Sequence, residues 1–171
     1  MSSPVSHVVV TDANILINLI QTGRLELCGA LSSFEFVVPT EVVMEITAPD
    51  QKAKFEAALS RGDLREVSLK EISELTSYAE FRRIMGKGEA ACLALAEVRG
   101  WLIASDEKKK FRREAIARLG EGRLMNTAGL FVLAIRAGLL SLEEADQAKA
   151  ELERHRFRMA FRSFRDLLEE E

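Results

Sequence analysis

The chain of 171 residues is long enough for one domain with a sizeable core, and 47% hydrophobic with 30% charged residues exclude disordered and fibrous classes. A formal net charge of −3 argues against a uniformly basic nucleic-acid binder, although local basic patches could still act. The chain has two histidines and two cysteines without C-x-x-C spacing, so a histidine-rich zinc site or a Ser-His-Asp triad has little to be built from. We therefore expect carboxylate chemistry.

Both cysteines, Cys28 and Cys92, lie inside apolar patterns typical of small buried residues in a reducing compartment. The opening residues lack the basic start and apolar core of a secretion signal, and no apolar run is long enough to cross a bilayer. We therefore expect a cytoplasmic protein without membrane contact, with a flexible segment at residues 1–6.

Strands and helices are predicted in alternation, a pattern typical of an α/β fold with a parallel sheet. Strands are predicted at 8–10, 34–38, 64–69, 101–105 and 123–125. Helices are predicted from Asp12 to about Gly23, at 41–47, 50–61, 71–84 and 89–98, from 107, at 127–137 and from 141. Thr40 and Thr127 are expected to cap their helices.

The C-terminal segment from Phe157 to Leu168 has Phe161 and Phe164 on the same helical face, with arginines elsewhere around it. This spacing predicts an amphipathic helix, which is more often used for packing or dimer formation than for nucleic-acid binding. We treat 146–171 as a helical extension packed on the preceding domain.

Four acids stand out by their positions. Asp12 and Asp106 each follow a buried strand and precede a helix, where an acid can cap the helix or stand at the edge of a ligand site. Glu89 opens a nearly all-apolar helix, and an acid there also suits the helix dipole. Glu45 falls near a helix end, where a negative charge is unfavourable, so it is either a functional residue or a solvated surface residue.

The carboxyl ends of parallel strands meet at one edge of the sheet, so we expect these four carboxylates to converge. Their repulsion amounts to about a few kcal/mol per close pair at an effective dielectric near 20, and protonation or a bound cation relieves it. Oxygen ligands select Mg²⁺ or Mn²⁺, which can activate water for phosphodiester hydrolysis. The pattern therefore predicts metal-assisted hydrolysis.

Two basic features lie next to these acids. The run of lysines and arginines after Asp106, including Lys108 and Arg112, is either a solvated helix face or a contact for phosphates. Gly86-Lys87-Gly88 is too short for a phosphate-binding P-loop and is more typical of a turn before a helix.

The segments VVVTDANILI, VVPTEVVMEI, GKGEAACLALA and LIASDE occur in the order and context of a PIN domain, and the chain resembles the VapC-like, toxin-related branch over residues 7–145. The resemblance implies a three-layer α/β/α sandwich around a parallel sheet and an Mg²⁺- or Mn²⁺-dependent ribonuclease. It implies an acidic quartet of Asp12, Glu45, Glu89 and Asp106, with Asp12, Glu89 and Asp106 as the main metal ligands. Asn14, Lys87, Lys108, Arg112 and Thr127 are the residues that we expect to bind substrate.

The chain departs from that pattern at two positions. Glu107 stands where this branch often has a second aspartate, which leaves its role open, and Asn126 stands where relatives often have glycine before the late threonine. The resemblance also makes an antitoxin partner and a homodimer plausible. A groove formed by the helix from Thr127 or by the C-terminal helix could receive such a partner.

Two alternatives differ from the ribonuclease in what they do. A nucleic-acid-binding module of the same fold would bind RNA without cutting it. A phosphatase of the haloacid dehalogenase type also uses an aspartate at a strand end, but it needs a second aspartate where this chain has Asn14.

Overall fold

The computed structural model describes residues 6–169, so most of the predicted flexible segment 1–6 lies outside the described residues. Within that range five strands form one parallel sheet in the order β3-β2-β1-β4-β5. They are β1 (His7–Thr11), β2 (Phe34–Pro39), β3 (Arg65–Val67), β4 (Leu102–Ala104) and β5 (Leu124–Met125). The chain thus extends the sheet from β1 in one direction and then returns to add β4 and β5 on the other side.

The helices flank this sheet as two groups. They are α1 (Ala13–Gln21), α2 (Leu27–Ala30), α3 (Thr40–Val43), α4 (Pro49–Arg61), α5 (Ile72–Phe81), α6 (Lys87–Arg99), α7 (Lys110–Leu119), α8 (Thr127–Arg136), α9 (Leu142–Arg154) and α10 (Phe164–Glu169). α6 packs on β1, β2 and β4 and contacts α3, α5 and α7, whereas α1 contacts α4, α8 and α9, and α10 contacts α8 and α9. The predicted α/β sandwich with a parallel sheet and an extra C-terminal helix is confirmed.

The centre of the core is the apolar helix α6. Every residue from 90 to 96 is buried, and most are alanines whose small side chains let the helix pack closely on the sheet and on α5. This packing fixes the start of α6, and with it Glu89, relative to the ends of β1 and β4. No helix among the described residues is long and apolar enough to span a membrane.

The predicted cap at Thr40 is wrong, and the helix that follows it is shorter than expected. α3 begins at Thr40 itself and ends at Val43, while Pro39 precedes it without a side-chain cap. The Thr40 hydroxyl instead donates to Glu66 Oε2 at 3.0 Å, which ties the start of α3 to β3. The short α2 was not predicted.

The helix expected from Glu107 begins only at Lys110, because Lys109 adopts a left-handed φ of 59° that a helix does not allow. The predicted helix over the C-terminal segment is likewise wrong for residues 157–163. α9 ends at Arg154, Arg156 turns the chain with a φ of 66°, and helical structure resumes only at Phe164.

An ion pair between a buried glutamate and a partly exposed arginine joins α5 to the end of α6. Glu74 is 1% exposed, and Arg99 donates to it through Nε at 2.5 Å and through Nη2 at 3.1 Å. The backbone N–H of Lys70 donates to the same carboxylate at 2.8 Å. Mainly because of the bonds from Arg99, the pKa of Glu74 is lowered to about 2.

Glu74→Gln is expected to lower the free energy of unfolding by about 2 kcal/mol, because Arg99 loses its charged partner. The lowered pKa makes this contribution fully present above the ordinary glutamate pKa and removes it as the pH falls towards 2. Urea unfolding should therefore show a smaller difference in the free energy of unfolding between wild type and Glu74→Gln at pH 3 than at pH 7. Glu80→Gln, at an exposed position of the same helix, is the control, and an equal loss there would contradict the prediction.

Candidate active site

The candidate site lies where the strand order reverses, beyond the carboxyl ends of β1 and β4. These neighbouring strands pair in parallel with Thr11 opposite Ala104, and the Asp12 N–H donates to the Ala104 carbonyl at 2.9 Å. Open parallel sheets bind ligands at such a reversal, since the loops on its two sides diverge and leave a crevice. The sheet therefore brings Asp12 and Asp106 to the same crevice, as the sequence predicted.

Asp12 is both a helix cap and the most buried acid of the site. Its carboxylate is the N-cap of α1, although it accepts from the adjacent Ala13 N–H at 2.8 Å rather than from a residue further on. The Ser105 hydroxyl donates to the other oxygen at 3.1 Å. Asp12 is only 4% exposed, and this burial is the main cause that raises its pKa to about 6.

Three further carboxylates interact electrostatically with Asp12. Glu45 follows α3, Glu89 lies in the first turn of α6 and Glu107 follows β4. Burial first, and then the charges of Glu107, Asp12 and Glu45, raise the pKa of Glu89 to about 7. Glu45 and Glu107 also raise the pKa of Asp12. We call Asp12, Glu45, Glu89 and Glu107 the acidic cluster.

Asp106 lies beside the acidic cluster and is held by the start of α8. The Thr127 N–H donates to Oδ1 at 2.9 Å, while the Thr127 hydroxyl and the Asn18 amide donate to Oδ2 at 2.5 and 2.9 Å. Burial raises the pKa of Asp106, and these hydrogen bonds together with Lys108 oppose that rise. Of the four predicted acids, Asp106 is therefore the one with the most complete set of protein donors.

Thr127 does not cap α8, contrary to the prediction. Asn126 is the N-cap, with its side chain accepting from the Gly129 N–H at 2.8 Å. Thr127 is fully buried and directs both of its donors at Asp106. Its position indicates that it orients this carboxylate, and it leaves no surface for direct contact with a substrate.

Asn14 and Asn18 extend the same arrangement from α1. Asn14 accepts from the Asp106 N–H at 3.2 Å and donates to Glu107 Oε1 at 3.3 Å, while Asn18 bridges Asp106 and Thr127. The two asparagines are four residues apart and so share one face of α1. This face braces the loop after β4 against the helix that follows β1.

The predicted basic residues fall in two places. Lys87 is exposed at the first position of α6, two residues before Glu89. Lys108 and Arg112 line a groove of about 1100 Å³ that begins at Asp106 and Glu107 and continues along α8 towards the C-terminal segment. Lys108 and Arg112 therefore lie along the path that an extended ligand would follow from the acids into the groove.

The sequence did not single out Asn18 or Ser105, and it left the role of Glu107 open. Asn18 could have been found from its position one turn after Asn14 on the predicted helix. Ser105 directly precedes Asp106 and uses its hydroxyl twice, as donor to Asp12 and as acceptor from the Glu107 N–H at 3.1 Å. These contacts hold the end of β4, which carries Asp106 and Glu107, against Asp12.

The Glu45 carboxylate packs against Gly88, where there is no side chain to obstruct it. A Cβ at Gly88 would lie 2.4 Å from Glu45 Oε1, so Gly88→Ala must displace this carboxylate. Alanine is the better helix former, and the displaced group is the end of a flexible side chain, so we expect stability to change by less than about 1 kcal/mol. The hydrolytic activity that the sequence predicts for this site should fall by about 10- to 100-fold, since displacing a reacting group by as little as about 1 Å is costly in catalysis.

A double-mutant comparison isolates the cause of that loss. If Gly88→Ala acts through Glu45, it should add little to the loss caused by Glu45→Ala. Additive losses in the double variant would contradict this explanation. Thermal unfolding of each variant provides the check on stability.

Comparison with known proteins decides the family. A family profile described as a PIN domain matches residues 8–170, which is nearly the whole chain. The chain belongs to the PIN domain family. The prediction from the four acidic motifs is thereby confirmed, and the match extends through the C-terminal segment.

Solved structures agree with this PIN domain at the level of the fold. A chain in the crystal structure of VapBC2 from Rickettsia felis bound to a DNA fragment from their promoter superposes with a TM-score of 0.50. The two share 16% sequence identity over 70% of this PIN domain and 97% of that chain. No curated protein matches the sequence significantly.

Proposed function

We propose that this PIN domain is a metal-dependent endoribonuclease that hydrolyses phosphodiester bonds in RNA. The observation that carries the proposal is the acidic cluster at the reversal of the strand order. Burial is the main cause that raises the pKa values of Asp12 and Glu89, and the charges of neighbouring carboxylates raise them further. Such a concentration of like charge is costly in a protein unless a cation offsets it.

The donor set fits Mg²⁺ or Mn²⁺. The four acids of the cluster and Asp106 offer only oxygen, the ligand type of hard divalent ions, and Cys92 is fully buried within α6. As the side chains lie, no three acidic, histidine or cysteine groups between residues 6 and 169 are already close enough to share an ion. We propose Asp12, Glu89 and Asp106 as the main ligands, with exposed Glu107 able to rotate towards them.

A divalent ion at these carboxylates would activate a water molecule and offset the charge that builds up on the phosphate. The protein residues supply orientation. Ser105 and the Ala13 N–H fix Asp12, and Thr127 with Asn18 fixes Asp106. Holding carboxylates in place before substrate arrives lowers the cost of reaching the transition state.

Glu45 and the basic residues complete the proposed machinery. The exposed Glu45 carboxylate can accept a proton from the attacking water or help to hold the ion. Lys87, Lys108 and Arg112 are exposed beside the acids and can hold phosphates on either side of the bond that is cut. Asn14 is assigned to positioning, because its amide already bonds the loop that carries Asp106 and Glu107.

We further propose a toxin of a toxin–antitoxin pair, restrained by a small antitoxin and able to form homodimers. This rests on the acidic motifs shared with VapC-like proteins, and the VapBC2 structure agrees with it in fold. RNA is the proposed substrate because basic side chains continue from the acids into the groove.

The decisive experiment is incubation of labelled total RNA with the purified protein in Mg²⁺, in Mn²⁺ and in EDTA, beside Asp106→Asn. We expect products that need the metal and that fall by at least about 100-fold in the variant. Lys52→Ala, at an exposed position on α4, is the control for preparation effects.

Two results would contradict the ribonuclease. Cleavage that is equal in EDTA would show a contaminating or metal-independent activity. RNA that is bound but left intact by the wild-type protein would favour the alternative, a nucleic-acid-binding module of the same fold.

A further inference from the structure

The groove that starts at Asp106 and Glu107 has an uneven distribution of charge. Among the described residues that line it, the acids are Glu107, a member of the acidic cluster, and Asp106 beside it, and the remaining charged groups are basic. Lys108 and Arg112 lie near the acids, while Arg158 is contributed by the C-terminal segment. A polyanion that enters at the acids therefore meets positive charge as it continues.

Apolar side chains form the rest of the lining. Val132 and Leu133 come from α8, and the C-terminal segment adds Phe157, Met159 and Phe161. These three C-terminal side chains are partly exposed, so their surfaces are accessible from the groove. Unpaired bases stack on such surfaces, whereas the bases of a duplex are already stacked inside it.

The C-terminal wall of the groove is built into the fold. Residue 157 is tied to the end of α9, since the Phe157 N–H donates to the Leu152 carbonyl at 2.9 Å. At the other end, the Ser163 hydroxyl and the Phe164 N–H donate to Asp146 at 2.7 and 2.9 Å. Arg158 and its apolar neighbours are thus presented by a loop that is fixed at both ends.

We propose that this groove binds a single-stranded stretch of RNA that leads away from the acidic cluster, with Arg158 contacting a phosphate and Phe157 stacking on a base. The inference rests on the proposed function for its choice of substrate. It assigns a binding role to the C-terminal segment, which the acidic motifs do not explain. Continuity with the cluster favours RNA over a protein segment, because the groove begins at Asp106 and is lined directly beyond it by Lys108 and Arg112, which suit a chain of phosphates.

Binding is measured by fluorescence anisotropy in the Asp12→Asn background with Mg²⁺, so that cleavage does not consume the probe. The probes are a fluorescein-labelled 12-nucleotide RNA without self-complementarity and a fully paired RNA of the same length. We expect Arg158→Ala to weaken binding of the single strand by about 10-fold and to lower the salt slope by about 0.7. Phe157→Ala should weaken it by at least about 5-fold with an unchanged salt slope.

Arg162→Ala is the matched control, because Arg162 is exposed on the same segment but does not line the groove. It should change affinity by less than about 2-fold, and circular dichroism should show that all three variants stay folded. Paired RNA should bind at least about 10-fold more weakly than the single strand.

Two outcomes would overturn the inference. If Arg158→Ala and Phe157→Ala bind the single strand as well as Arg162→Ala does, the groove serves another occupant, such as a protein segment. If paired RNA binds equally well, the preference for unpaired bases is wrong.

The result also separates this inference from the proposed function. Wild-type protein that leaves RNA intact, together with a clear Arg158 effect, would refute the ribonuclease and keep the groove. Metal-dependent cleavage with no effect of Arg158→Ala on binding would support the ribonuclease and refute RNA binding in the groove.

Discussion

Replacing Asp12 with asparagine is expected to abolish RNA cleavage and, in the same protein, to raise the stability of the metal-free fold. Cleavage should fall by at least about 100-fold, since asparagine offers a neutral oxygen where a carboxylate is needed. Asparagine can still accept from Ala13, and its amide can donate to the Ser105 hydroxyl, so the local hydrogen bonds can be kept.

The gain in stability follows from the sign of the pKa shift. Burial and like charges raise the pKa of Asp12 to about 6, so at neutral pH the folded protein holds an ionised carboxylate that the unfolded chain holds more easily. Removing that charge should raise the free energy of unfolding by about 1–3 kcal/mol at pH 7.5 in EDTA. Each kcal/mol corresponds to a rise in Tm of about 2–4 °C for a domain of this size. As the pH falls below 6 the folded group becomes protonated and the difference should shrink, and it should disappear only below the ordinary aspartate pKa of 3.8, where the group is neutral in both states.

Differential scanning fluorimetry in EDTA at pH 7.5 and pH 5 checks the stability, and the total-RNA assay checks the activity. Ser105→Ala is a useful comparison, because it removes one donor to Asp12 but keeps the carboxylate. If Asp12→Asn lowered Tm at pH 7.5, the electrostatic cost assigned to Asp12 would be wrong.

Phe164→Ala is expected to give the largest loss of stability, about 3–5 kcal/mol in urea unfolding. Phe164 is fully buried, and its ring meets Phe131 of α8 edge-on at 5.8 Å between centroids. Phe161 packs against the same ring at 4.9 Å. Truncation would therefore leave a cavity between α8, α9 and the C-terminal segment.

Phe164→Leu keeps most of the volume and should cost less than about 2 kcal/mol. Leu168→Ala, at a partly exposed position of α10, should cost less than Phe164→Ala. A loss below about 1 kcal/mol for Phe164→Ala would show that the C-terminal segment is not part of the cooperative fold.

The sequence was most informative where one local pattern determined the structure. The uncharged β-branched run before Asp12 and the apolar run before Asp106 predicted two buried strands, and parallel pairing then brought both acids to one edge. Glu89 was predictable for the same reason, because the apolar residues after it required a helix that is buried on several sides.

The sequence was least informative where distant contacts determine the chain direction. The spacing of Phe157, Phe161 and Phe164 fits a helix, but Asp146 accepts bonds from residues 163 and 164 and holds the segment as a loop. Glu107 accepts from the Asn14 amide 93 residues away and its charge acts on Glu89, a long-range contact that no local pattern predicts. Thr127 looked like a cap because threonine is a common capping residue, but the adjacent Asn126 is the better one and caps α8.

The position of β1 between β2 and β4 also determines when the site can form during synthesis. β1, β2 and β3 are consecutive along the chain, so they can pair early, when Asp12 and Glu45 are the members of the acidic cluster that have been made. Ser105, which bonds Asp12, follows it by 93 residues, and Thr127 follows Asp106 by another 21. Because chains grow from the N-terminus, the acidic cluster is incomplete until most of the protein has left the ribosome. A ribonuclease with this strand order would be inactive for most of the time that it is attached to its own messenger RNA.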